Sequence, residues 1–90
     1  MTTVYIPTPM RKFTNNKSQI LLAAGTIASV FSALEETCPG VKAQLYDANG
    51  TIKRYINVFV NGNDIRSLDG EQTSVHERDE IFIVPAMAGG

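Results

Sequence analysis

The chain has 90 residues and a mass of 9.8 kDa; 43% of its residues are hydrophobic, 19% are charged, and its formal net charge is -1. That length holds one hydrophobic core and not two, and the composition is that of a folded domain and not a disordered one. The charge balance excludes the basic footprint of a nucleic-acid binder, and no apolar run approaches the ~20 residues of a membrane span. One cysteine excludes an internal disulfide, and one histidine argues against a protein-only zinc site. Arg11 and Lys12 are followed by no long apolar stretch, so no secretory leader is expected and the setting expected is cytoplasmic.

Thr2 to Pro7 is rich in strand formers and is stopped by Pro7 and Pro9. Arg11 to Lys17 is polar and includes Asn15-Asn16, which predicts a loop. Ser18 to Ala23, with Ile20, Leu21 and Leu22, predicts a second strand and therefore an N-terminal hairpin. Thr26 is a suitable N-cap, and Ile27, Val30, Phe31, Leu34 and Cys38 recur at the spacing of one helical face. Pro39-Gly40 ends that helix. Val41 and Leu45, four apart, predict a further helical turn before the Asp47 to Gly50 turn. Tyr55 to Asn61 alternates strictly, with Ile56, Val58 and Val60 on one side and Tyr55, Asn57 and Phe59 on the other. Ile65-Arg66 reads as the start of a short strand, Asp69 to Glu80 as an acidic loop, and Ile81 to Val84 as the last strand.

One helix of about three turns must bury its stripe on one face of the sheet. The first and last strands can then lie parallel at the sheet centre, with the helix as crossover. This is an α+β, β-grasp (ubiquitin-like) arrangement: a mixed sheet of four to five strands with one main helix, spanning 1–85, and a flexible tail at 86–90. The expected core is Val4, Ile6, Ile20, Leu22, Ile27, Val30, Phe31, Leu34, Ile56, Val58, Val60, Ile81 and Ile83. Cys38 reads as a small buried hydrophobe and His76 as solvent-exposed. Glu77, Asp79 and Glu80 read as a solvated face, or as a contact for a basic partner.

No glycine-rich phosphate loop is present, and no Cys–His or Ser–His motif is apparent. The informative segment is Pro85-Ala86-Met87-Ala88-Gly89-Gly90. Gly89-Gly90 is thin and pliable, and the five residues after Pro85 reach at most ~17 Å. Such a thread can enter a channel on another protein and present a carboxylate. A carboxylate is a poor electrophile until it is joined to AMP as a mixed anhydride, after which a nucleophile can attack the Gly90 carbonyl. The ATP site would lie on the partner.

Four segments resemble the ubiquitin-like sulfur carriers of the MoaD/ThiS superfamily, with the likeness greatest to the CysO-type carriers of bacterial cysteine biosynthesis. These are Val4 to Thr8 with Arg11 and Thr14, Thr26 to Leu34, Tyr55 to Arg66, and Ile81 to Gly90. The resemblance implies a carrier acted on by enzymes, not an enzyme. A ubiquitin-activating-type enzyme would adenylate Gly90 with ATP and Mg²⁺, and sulfur would displace AMP to leave a thiocarboxylate. That thiocarboxylate would attack an acceptor made from O-phosphoserine on a PLP-dependent cysteine synthase. A zinc metalloprotease would then release cysteine. No cofactor is expected on this chain, which alone is expected to be a monomer. The alternatives are a sulfur donor for molybdopterin, thiamin or tRNA thiolation, or a protein modifier that forms isopeptide bonds through Gly90.

Strand alternation predicts the docking face independently. If Ile56, Val58 and Val60 face the helix, then Phe59, and by the same parity Tyr5, Pro7, Phe82 and Val84, face away. They predict an apolar patch beside the tail, whose Ala86, Met87, Ala88 and Gly89 would follow it into the partner.

Overall fold

The structure is a computed structural model and describes residues 1–86. Its main sheet has five strands in the order Gln19–Leu22 (β2), Thr2–Tyr5 (β1), Glu80–Pro85 (β7), Ile56–Val60 (β4) and Asn63–Asp64 (β5). β1 (Thr2–Tyr5) and β7 (Glu80–Pro85) are central and parallel; β2 (Gln19–Leu22) is antiparallel to β1, and β4 (Ile56–Val60) is antiparallel to β7. Helix α1 (Ile27–Thr37) joins β2 to β4, so the crossover spans the two central strands instead of linking them to each other. The expected β-grasp arrangement is present, with five strands in its main sheet.

All thirteen expected core residues are buried, and Cys38 is buried with them. Ile27, Val30, Phe31 and Leu34 of α1 are each fully buried, and each such side chain contributes about 1.5–3 kcal/mol relative to exposure. Met10, Val41, Leu45, Ile65 and Val75 complete the core. Thr26 caps α1 reciprocally: its Oγ1 accepts from the Ser29 N–H (3.2 Å), and its own N–H donates to Ser29 Oγ (2.9 Å).

Three local expectations are corrected. The loop after β1 contains a 3-10 helix, Thr8–Phe13, which buries Met10. The short strand near residue 65 is β5 (Asn63–Asp64), and Ile65–Ser67 is a 3-10 turn capped by the Asp64 carboxylate. A second sheet pairs β3 (Gly25–Thr26) with β6 (Ser74–Val75), inside what reads as an acidic loop. It ties the start of α1 to the segment before β7 and buries Val75.

Helix α2 (Val41–Leu45) docks through Glu35. The Glu35 carboxylate accepts from the Gly40 N–H (3.1 and 3.2 Å) and the Lys42 N–H (2.8 Å). Those backbone donors, Lys42 first and then Gly40, hold its pKa below the ordinary 4.5. Its contribution to stability is therefore present above the unfolded-state value and is lost as pH falls through the lower folded value. Glu35→Gln should be less stable than the parent at neutral pH. The gap in urea midpoint between the two should close only below about pH 4.5. A gap independent of pH would remove the charge from the account.

Candidate functional site: an aromatic sheet face and the tail exit

Residues of the three inner strands that point away from α1 meet in one row. Tyr5 is the register partner of Phe82, and Phe82 is the partner of Phe59. The Tyr5 and Phe82 rings stack at 4.4 Å with their planes 4° apart. The Tyr5 hydroxyl donates to Glu80 Oε2 at 2.7 Å, and this bond to a carboxylate is the main cause that raises the phenol pKa. Val84 sits one pleat further along β7, opposite Asn57, and is 44% exposed. Pro7 follows β1 and is half-buried, like Tyr5, Phe59 and Phe82. Tyr5, Phe59, Phe82 and Val84 thus share the face away from the helix. Two-residue alternation on adjacent strands places them there.

The chain leaves the sheet at the end of β7, where the Ala86 N–H donates to the Tyr55 carbonyl at 2.6 Å. Ala86 is exposed. Met87, Ala88, Gly89 and Gly90 lie outside the described residues.

Arg66, unassigned by sequence reading, secures this corner. Its guanidinium donates to Asn57 Oδ1 (2.7 Å), the Arg54 carbonyl (3.0 Å) and the Ile56 carbonyl (2.9 Å). The only sequence signal for it is its place in the Tyr55 to Arg66 block. Lys53 Nζ lies 5.9 Å from the ring centre of Tyr55, the residue whose carbonyl holds the Ala86 N–H.

The acids are at the other end of β7, some ~17 Å from Pro85 along an extended strand. Glu77 pairs with the N-terminal amine. Asp79 accepts from the His76 N–H (2.8 Å) and Asn61 Nδ2 (2.9 Å), and both bonds lower its pKa. These acids close the loop onto the sheet.

A groove of about 710 Å³ lies between α1, α2 and the 47–50 turn. Two of its polar groups are already committed: Glu35 to backbone N–H groups, and the Tyr46 hydroxyl to Glu71 at 2.7 Å. Burial first, and then that bond, raise the Tyr46 pKa. The arrangement that remains open is an aromatic sheet face next to an exiting chain end.

The model of the ThiS family matches residues 4–90. The chain belongs to the ThiS family. Within that family it is 34% identical over 90 residues to the sulfur carrier protein CysO of Mycobacterium tuberculosis (strain ATCC 25618 / H37Rv), a match covering 98% of this chain and 97% of the relative. It is 32% identical over 65 residues to small archaeal modifier protein 3 of Haloferax volcanii, covering 72% and 70% of the two chains. A chain in the crystal structure of the Amycolatopsis orientalis BexX/CysO complex superposes with a TM-score of 0.93 at 33% identity, with 100% of both chains covered. Among the described residues of this ThiS-family chain, no helix is long and apolar enough to cross a membrane.

Proposed function

We propose that this ThiS-family chain is a sulfur carrier, a cosubstrate of partner enzymes and not itself an enzyme. In this reading Gly90 is its working residue and Gly89 the slender approach to it. The Gly90 carboxylate attacks the α-phosphorus of ATP, and pyrophosphate leaves. A sulfur nucleophile then attacks the acyl carbon, AMP leaves, and a thiocarboxylate remains. The observation that carries the reading is the near full-length identity to a CysO sulfur carrier. The exit of the chain from the central strand beside an aromatic face supports it.

The same likeness supports the finer assignment. The activating partner is of the ubiquitin-activating type and holds ATP and Mg²⁺. The thiocarboxylate, anionic and soft at neutral pH, gives its sulfur to an acceptor made from O-phosphoserine on a PLP-dependent cysteine synthase. A zinc metalloprotease then frees cysteine. Intact-mass analysis of the chain from its native host tests this. A sulfur-for-oxygen mass gain supports the carrier, and a cysteine adduct supports the route to cysteine. A branched peptide on a lysine would instead assign the chain to protein modification, the role named for the archaeal relative.

In this reading the activating partner docks on Tyr5, Pro7, Phe59, Phe82 and Val84, and Ala86, Met87 and Ala88 line its channel. Phe82→Asp should keep the far-UV spectrum and lose about 30-fold or more in the rate of thiocarboxylation, as expected for a central aromatic anchor. Val84→Asp, on the exposed rim of the same face, should lose less. Parental rates for both variants would dismiss the patch.

A further inference from the structure

The two edges of the main sheet are treated differently. On the β4 side the outward carbonyls of Arg54 and Ile56 are taken by the Arg66 guanidinium. On the β2 side, the Ile6 N–H donates to the Ser18 carbonyl at 2.8 Å. In this antiparallel ladder Ser18, Ile20 and Leu22 therefore bond inward to β1. The N–H and C=O groups of Gln19 and Leu21 then point away from the sheet, and no strand among the described residues pairs with them.

That edge is short, four residues, and Lys17 flanks it, but the strand itself is not otherwise blocked. Gln19–Leu22 contains no proline and no charge, and Leu21 is 63% exposed. Beside it runs a groove of about 430 Å³ lined by Lys17, Gln19, Ile20, Leu21 and Thr37. No aspartate or glutamate occurs in residues 1–34, whose charged side chains are Arg11, Lys12 and Lys17.

We propose that the β2 edge takes an extended, acidic segment of a partner protein as an added antiparallel strand. Gln19 and Leu21 supply the backbone pairing, the Ile20–Thr37 groove takes an apolar side chain, and Lys17 meets a carboxylate. This surface lies on the sheet's outer edge, apart from the aromatic row, and does not depend on the sulfur-carrier reading.

The test uses the full chain, isotope-labelled, and an acetylated and amidated hexapeptide of alternating valine and aspartate. Amide shifts should centre on Gln19, Leu21 and Thr37, and exchange of the Gln19 and Leu21 amides should slow. The valine–lysine counterpart should not bind. Leu21→Pro removes an N–H that β1 does not use, and should abolish binding. Lys17→Glu, on the surface, should weaken it about threefold, the size of one rim charge pair. The proposal is overturned by shifts centred on Tyr5 and Phe82, by equal binding of the lysine peptide, or by no binding at all. Concentration-dependent dimerisation that protects the same two amides would give the edge to a second copy and also overturn it.

Discussion

A chain shortened by Gly90 alone is expected to fold as the parent does and to lose at least about 100-fold in thiocarboxylation. The described fold is complete by Ala86, whose N–H is the last backbone group joined to the sheet. Loss of one residue beyond it removes none of the described hydrogen bonds. The shortened chain still ends in a glycine carboxylate, Gly89, so the electrophile is chemically the same. Its position is not, because the carboxylate is withdrawn by up to ~3.5 Å along the chain. Misplacement of a reacting group by ~1 Å can already cost about 100-fold in rate. The check is single-turnover formation of the acyl adenylate and thiocarboxylate with the activating enzyme, read by intact mass, beside an unchanged urea midpoint. An unchanged rate would mean that the activating enzyme accepts the carboxylate at Gly89 as readily, and the assignment of Gly90 as the working residue would fall with it.

Phe31→Ala is expected to bring the domain close to unfolding. Phe31 is fully buried on the inner face of α1 and makes an edge-on contact with Tyr46, ring centres 6.5 Å apart. Truncating a buried phenylalanine costs about 3–5 kcal/mol. A 90-residue domain has about 5–13 kcal/mol in all. The melting temperature should fall by more than about 12 °C. A fall of only a few degrees would show that α1 and α2 can close over the vacated space.

The core was legible because its signals are local and periodic. Ile27, Val30, Phe31 and Leu34 share one helical stripe, and Ile56, Val58 and Val60 alternate with Asn57 and Phe59. Each pattern admits one packed solution. The face of Tyr5, Phe59 and Phe82 followed from the same parity, since fixing the buried side of a strand fixes the other. What escaped has no period. β3 and β6 are two residues each and pair across almost fifty positions. Glu35 caps α2 through backbone N–H groups five and seven residues away. Arg66 serves β4 only because the intervening turn folds it back onto Arg54, Ile56 and Asn57. Each depends on tertiary geometry that a window of neighbouring residues does not contain.

Cys38 carries the chain's single thiol, and it is shut inside the core at the end of α1. A protein that bears an activated acyl group risks capture by its own nucleophiles, and a thiolate is the most dangerous of them. With that sulfur walled off, self-thioesterification is closed to the folded chain. If the proposed carrier chemistry holds, sulfur reaching the Gly90 carbonyl carbon would have to be delivered from outside, and the identity of the donor would be left to the enzyme that supplies it.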